Sequence, residues 1–208
     1  MNRIVIVGAG GQGTIVADIL GDRAAGFVDD SPALHGTTVL GLRVFASCDD
    51  VEHDGVIVAI GDNAVRRAIT ERLTAAGERL AIAIHPFASI ARSATIADGA
   101  MISAGAIVLP RVALGRGVLL NTKSSADHDC VLGDFVHLAP AATLGGNVRI
   151  GAETTIGPAA TIVSNITIGA RVVIGAGAVV LRDLPDDVTA WGVPARITSD
   201  RRSAAPTR

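Results

Sequence analysis

Aromatic side chains are nearly absent from this chain: four Phe, one Trp and no Tyr among 208 residues. A core with so few rings must be filled by small and branched aliphatics in a narrow space, which disfavours an ordinary sandwich or bundle. Cysteine is scarce too, with only Cys48 and Cys130. Two thiols make no disulfide framework, which fits a reducing, cytoplasmic compartment. Lysine appears once, as Lys123, and the formal net charge is −2, so no basic stripe is available for a nucleic-acid backbone. Long apolar runs are missing although mean hydropathy is +0.47, and the opening strand reaches Gly8 within seven residues. Neither a membrane span nor a secretory signal is expected. The length suffices for one large domain or two small ones.

What the chain has is glycine, 24 residues of it, and an unbroken repeat. From Ile90 every sixth position reads Ile90, Ile96, Ile102, Val108, Leu114, Leu120, Ala126, Leu132, Leu138, Leu144, Ile150, Ile156, Ile162, Ile168, Ile174 and Val180, with Ala126 the single member that is not Ile, Leu or Val. Four residues after each comes a small or β-branched residue, as in Ala106, Val118, Cys130, Ala142 and Thr154. A period of six drifts around a helix and does not arise in a flat strand of period two. It fits a coil with three short sides, the hexapeptide β-helix. The aliphatic fills the interior, the small residue sits near a corner, and the glycine that often follows, as at Gly115, Gly133 and Gly151, is expected to ease the turn. About five coils stacked roughly 4.8 Å apart are predicted. Flat faces with aliphatics such as Val131 suit packing of three prisms around one axis, a homotrimer.

The first 85 residues read as an α/β unit. A strand over Arg3–Val7 runs into Gly8-Ala-Gly-Gly-Gln-Gly13 and a helical stretch to Leu20. This is G-x-G-x-x-G in its proper context, with helix-end amides for an anion. Further strands are predicted at 24–28, 56–60 and 80–84, with a helix from Gly61-Asp62-Asn63 to about Ala76. Asp29 lies 21 residues past Gly8, where a carboxylate can take a ribose hydroxyl. Four strands make only one mononucleotide half of a doubly wound sheet, which favours a single nucleotide or nucleotide-linked ligand over NAD. A packing role for the glycines alone is the lesser alternative.

Five histidines can be weighed singly. His35 and His53 lie in polar stretches and are expected to be solvated, and His85 before Pro86 reads as a turn residue. His128 sits in Asp127-His128-Asp129, an outward imidazole beside a carboxylate, which has the parts of a general base with an orienting partner or of a solvated corner. His137 follows nine residues on, half of an 18-residue coil. The two therefore share a site only across a subunit interface. Cys130 points inward as a core filler.

A glycine-loop domain joined to a hexapeptide left-handed β-helix, with Gly26-Phe-Val-Asp-Asp30, Ala59-Ile-Gly-Asp-Asn63, Asn121-Thr122, His128-Asp-Cys-Val-Leu-Gly-Asp134, Gly145-Gly-Asn-Val148 and Gly192-Val-Pro-Ala195, resembles the sialic-acid O-acetyltransferase and bacillosamine-pathway N-acetyltransferase family. The resemblance runs from residue 3 to about 196. It implies a nucleotide-sugar-binding domain over 1–85 and an acetyltransferase β-helix over 86–196; the tail over 197–208 has no periodicity and is expected to be disordered. It further implies a homotrimer transferring acetyl from acetyl-CoA to a UDP- or dTDP-linked amino sugar. His128 and Asp129 fall on the base and its partner; His137, Gly146, Pro158, Gly175 and Ala176 on coenzyme contacts; Gly10, Gly11, Gln12, Asp29, Asp30, Gly61 and Asn121 on the sugar-nucleotide site. Several relatives read Gly-Ala-Ser-Gly-His-Gly in the first loop, so this chain lacks that hydroxyl and imidazole. O-acetylation of a sialic-acid-like sugar, a non-catalytic nucleotide-binding scaffold and a zinc lyase are the rivals. The lyase needs three converging imidazoles, and these coils carry two.

Overall fold

The computed structural model describes residues 3–200. Its amino-terminal part is a sheet of β1 (Ile4–Val7), β2 (Ala24–Val28), β3 (Thr38–Val39), β4 (Leu42–Phe45) and β5 (Gly55–Val58), in the order β3-β4-β2-β1-β5. Only the β3–β4 hairpin is antiparallel. β1 reads Ile-Val-Ile-Val and is buried throughout, as a central parallel strand covered on both faces must be. Helix α1 (Gly11–Leu20) follows β1, and helix α2 (Asn63–Ala75) follows β5. The chain leaves β1 towards β2 on one side and later returns to β5 on the other. The β1–β5 boundary is thus the topological switch point, where open α/β sheets bind ligands.

Two expectations for this region need correction. The β3–β4 hairpin was not predicted, because its turn is Leu40-Gly41 with φ of 50° and 77°. A leucine in the left-handed region is strained and gives none of the usual hairpin signal of Asn-Gly or Asp-Gly. The predicted strand at 80–84 is divided between two sheets. Leu80 forms a single parallel bridge to Val56, and β6 (Ala83–Ile84) then pairs with Met101–Ile102 of the next domain.

From there the chain is a left-handed β-helix of two-residue strands. The first face includes Ser125–Ala126 and Thr143–Leu144, the second Val131–Leu132 and Arg149–Ile150, the third His137–Leu138 and Thr155–Ile156. Up to the last coil each strand residue pairs in parallel with those 18 away, as His137 does with Leu119 and Thr155, and the last coil is shortened to 16, with Val173 opposite Thr189. The repeated aliphatics and the small residues four places after them form one continuous core. Of the polar members, Thr154 is absorbed by the neighbouring coil, its hydroxyl donating to the Gly169 carbonyl at 2.7 Å and accepting from the Val172 amide at 3.0 Å, whereas the buried Ser124 hydroxyl has no partner among the described residues.

The corners overturn the expected role of glycine. Positive φ recurs at every sixth residue from Gly99 to Gly177, and most of these positions carry side chains, including Arg111, Lys123, Asp129, Phe135 and Glu153. The glycines after the aliphatics are needed for another reason. A Cβ on Gly151 would lie 2.4 Å from the Ala170 amide nitrogen, and one on Gly133 2.8 Å from that of Ala152. They admit the backbone of the next coil rather than bend their own.

The strand Val188–Gly192 extends the third face beside Val173–Ile174, and Ala195–Asp200 returns antiparallel to it. Residues 197–200, expected to open a disordered tail, therefore complete a strand; 201–208 lie outside the described residues.

The domains are joined by Arg66 of α2, which is wholly buried and has no carboxylate partner among the described residues. Its Nε donates to the Gly117 carbonyl at 2.9 Å, Nη1 to those of Ile60 and Gly61 at 2.8 and 3.1 Å, and Nη2 to Asn63 Oδ1 and the Phe135 carbonyl at 2.8 and 2.9 Å. Asn63 in turn donates to the Glu153 carbonyl and the Thr155 hydroxyl at 3.0 and 2.9 Å. Every donor of the guanidinium is used, which is what makes burial of the charge tolerable. Burial still pushes its pKa down to about 10, against the pull of Asp62.

The close approaches separate two kinds of glycine. Gly151→Ala, and Gly13→Ala whose Cβ would meet the Gly8 carbonyl oxygen, are expected to cost about 1–3 kcal/mol in chemical denaturation, because fixed backbone must move. Gly11→Ala, at the first turn of α1 with open space around it, is expected to be neutral or slightly stabilising.

Candidate active site

His128 occupies the corner between the first and second faces. The Asp127 carboxylate accepts its backbone amide at 2.7 Å, and Asp129, held at φ 63°, brings Oδ2 to 2.7 Å from Nδ1. With the Nδ1 proton donated to a carboxylate, Nε2 is the nitrogen left to accept a proton. The half-exposed ring lies over Gly146 of the next coil, where a Cβ would be 2.6 Å from Cε1 and 2.7 Å from Nε2. Asp129 has a second partner that sequence reading missed. Arg111 donates from Nε to Oδ1 at 2.6 Å and from Nη2 to Oδ2 at 2.7 Å. The Arg111 fork, and then His128, hold the Asp129 carboxyl well below the usual range. Cys130 is a buried filler whose thiol donates to the Gly145 carbonyl at 3.1 Å, and burial pushes its pKa up.

His137 lies elsewhere, on the third face, in a cleft of about 460 Å³ between the prism and the start of α2. Gly61, Asn63, Glu153, Thr155 and Arg171 share this lining. Burial, and then the Arg66 charge, push the His137 pKa down to about 4, against a hydrogen bond to the Gly61 backbone. The imidazole is neutral near pH 7, and its Nε2 has no partner among the described residues. One chain thus holds its two prism histidines in different settings, one at a corner and one on a face.

The remaining candidates fall into separate groups. Pro158, Gly175 and Ala176 follow the third-face strands; Pro158 and Ala176 are exposed, and Gly175 is covered by Trp191, whose Cβ is 2.7 Å from where a Gly175 Cβ would stand. Gly10 and Gly11 open α1 without a side-chain cap or a first-turn carboxylate, so its leading amides are available to an anion. Gly61 ends the β5 turn at the same switch point and also lines the His137 cleft, which links the two regions. Asp29 spends both oxygens on backbone amides, accepting from Ala9 and Ser31 at 2.9 Å each. It fastens the glycine loop, and a hydroxyl can use only the remaining lone pairs. Asp30 is exposed beside it. The Gln12 amide reaches the Met101 sulfur at 3.9 Å, and Asn121 Oδ1 accepts the Thr122 amide at 2.8 Å one coil before His137–Leu138.

Two histidines read as solvated are engaged. His35 Nε2 contacts the Asp29 carbonyl at 2.8 Å, and His53 bridges the Val51 carbonyl at 2.8 Å and Glu78 at 3.0 Å. His85 is a turn residue, accepting the Phe87 amide at 3.0 Å.

A half-Rossmann domain on a left-handed β-helix, with a carboxylate-paired imidazole at a prism corner, defines an acyltransferase of the hexapeptide-repeat class. The PglD N-terminal domain model matches residues 3–73, and the bacterial transferase hexapeptide model (six repeats) matches 147–182. GDP-perosamine N-acetyltransferase of Escherichia coli O157:H7 is 32% identical over 162 residues, covering 72% of this chain and 73% of that protein. The acetyltransferase domain of PglB from Neisseria gonorrhoeae FA1090, in complex with acetyl coenzyme A, is 37% identical with a TM-score of 0.88, covering 94% of this chain and 98% of that one. PerB from Caulobacter crescentus, in complex with CoA and GDP-perosamine, is 35% identical with a TM-score of 0.89, covering 96% and 98%. The chain belongs to the hexapeptide-repeat sugar acetyltransferases.

Two outcomes follow from this geometry. Gly146→Ala is expected to push the His128 ring aside and lower kcat about tenfold to a hundredfold without loss of fold, measured by steady-state kinetics beside thermal denaturation. His137 is depressed in the folded chain, so the unfolded chain binds its proton first as pH falls. Stability is expected to drop from about pH 6.5 towards 4, and chemical denaturation of His137→Gln should show a flatter dependence.

Proposed function

We propose that this chain transfers the acetyl group of acetyl-CoA to the amine of a nucleoside-diphosphate-linked amino-deoxy sugar, with His128 as general base. The carrying observation is the His128–Asp129 pair, with Nδ1 tied to a carboxylate at 2.7 Å and Nε2 left open. An amine must be neutral to attack a thioester carbon and must lose a proton as the C–N bond forms. An imidazole with an unprotonated Nε2 and an ionised neighbour takes that proton near neutral pH. Asp129 orients the ring and stabilises the imidazolium. Negative charge growing on the thioester oxygen calls for a nearby donor, and the buried Gly146 amide beside the ring is the candidate. Cys130 points inward with a raised pKa, so attack is direct, without an acyl-enzyme.

Pro158, Gly175, Ala176 and neutral His137 would line the coenzyme's path. The pyrophosphate of the sugar nucleotide would rest on the leading amides of α1 at Gly10 and Gly11, beside Gln12, Asp29, Asp30 and Gly61, with Asn121 near the sugar. The resemblance pointed to UDP or dTDP. PerB is described with GDP-perosamine, so a guanine nucleotide joins them, and an amino-sugar relative favours N- over O-acetylation.

A homotrimer completes this reading. His128 at a corner and His137 on the third face lie on different sides of one prism, so a shared site needs two chains. Exposed Ile107, Leu109, Val131 and Leu181 surround the His128 corner and its neighbouring faces, an apolar rim suited to a second prism.

His128→Ala is expected to lower kcat by about 10²–10⁴ while coenzyme A still binds, as read by stopped assays and calorimetry; an unchanged kcat overturns the base assignment. A thermal-shift panel of UDP-, dTDP- and GDP-linked amino sugars, with and without coenzyme A, identifies the nucleotide. Analytical ultracentrifugation is expected to give three chains per active particle, and an active monomer sinks the shared-site reading.

A further inference from the structure

We infer that Arg111 is a positioning residue for the reaction: through Asp129 it fixes the orientation of the His128 ring and offsets the charge of the carboxylate behind it. The inference rests on the reading of His128 as base and extends the catalytic unit by one residue on the preceding coil.

Arg111 and Asp129 occupy the same corner of successive coils, 18 residues apart, with φ of 62° and 63°. Identical backbone geometry one coil apart sends both side chains out in register. The guanidinium meets the carboxylate fork to fork at 2.6 and 2.7 Å, and Oδ2 is shared with His128 Nδ1 at 2.7 Å. Such a bidentate pair fixes the plane of the carboxylate as well as its distance, which a lysine does not. The backbone beneath is pinned: the Arg111 amide donates to Ser93 Oγ at 3.1 Å, the Asp129 amide to the Pro110 carbonyl at 3.1 Å, and the Asn147 amide to the His128 carbonyl at 2.9 Å.

An exposed ion pair adds little to stability, and Arg171 and Asp187 form a fork of the same lengths; what sets the Arg111 fork apart is that Oδ2 of its carboxylate also meets His128 Nδ1. Its effect on the imidazole is larger. A carboxylate at Nδ1 stabilises positive charge on the ring. A cation held on the far side of that carboxylate offsets this. The neighbouring groups are the Asp127 carboxylate, which takes the His128 amide, and uncharged Gly146 and Asn147 of the next coil, while the Cys130 thiol points away into the core.

The test is an NMR titration of His128 in the full chain, assigned with His128→Gln, for wild type, Arg111→Met and Arg111→Lys. It is run beside pH profiles of kcat/KM with acetyl-CoA and GDP-perosamine. Arg111→Met is expected to raise the His128 pKa, and to move the acid limb of the profile up equally. Plateau kcat should fall several-fold. Arg111→Lys restores the charge and returns the pKa towards wild type, while kcat stays reduced because an ammonium cannot fork. A wild-type His128 titration in Arg111→Met, with or without a lower melting temperature, assigns Arg111 to structure alone and overturns the inference. That result is separate from the base assignment, which fails only if His128→Ala retains turnover. The titration uses protein alone and decides the Arg111 claim in either case.

Discussion

Everything in this molecule depends on one spacing: successive coils of the prism lie a single β-ladder step apart, about 4.8 Å. Atoms at positions 18 apart are therefore in contact or in conflict along the whole domain. The constraint selects Gly133 and Gly151, where a Cβ would enter the next coil's backbone. It sets Arg111 over Asp129 and lays the His128 ring on Gly146. A residue's chemistry here is decided by its neighbours one coil above and below as much as by its neighbours in sequence.

The same stacking gives two identical side chains different chemistry. His128 stands at an outer corner with a carboxylate on Nδ1, an arrangement that favours proton capture. His137, half a coil further on, is sealed beneath the start of α2, where desolvation and the Arg66 charge keep it neutral. Arg66 is the hinge of this second environment. By satisfying carbonyls from both domains it seats the β5 turn against the prism, so Gly61 belongs at once to the nucleotide switch point and to the histidine cleft.

Much of the site was legible because its parts are adjacent in sequence. His128 and Asp129 are neighbours, and the first glycine loop sits between a strand and a helix as its chemistry requires. Local reading failed where a partner comes from far along the chain. Arg111 and Arg66 look like any surface arginine until the fold supplies Asp129 for one and backbone carbonyls from both domains for the other. His53 pairs with Glu78, 25 residues away, and His35 caps the Asp29 carbonyl, so neither is solvated. The Leu40-Gly41 hairpin escaped because its turn residue is atypical for its φ.

The sequence by itself determined the prism, its register, and the half-coil separation of the two histidines, because a period of six maps onto three sides and leaves no other packing for that aliphatic ladder. It could not determine why particular glycines are required, which strand segment 80–84 joins, or which charges meet at a corner. Those depend on distances between residues on neighbouring coils and between domains. Only the tertiary structure brings such atoms within hydrogen-bonding or collision range.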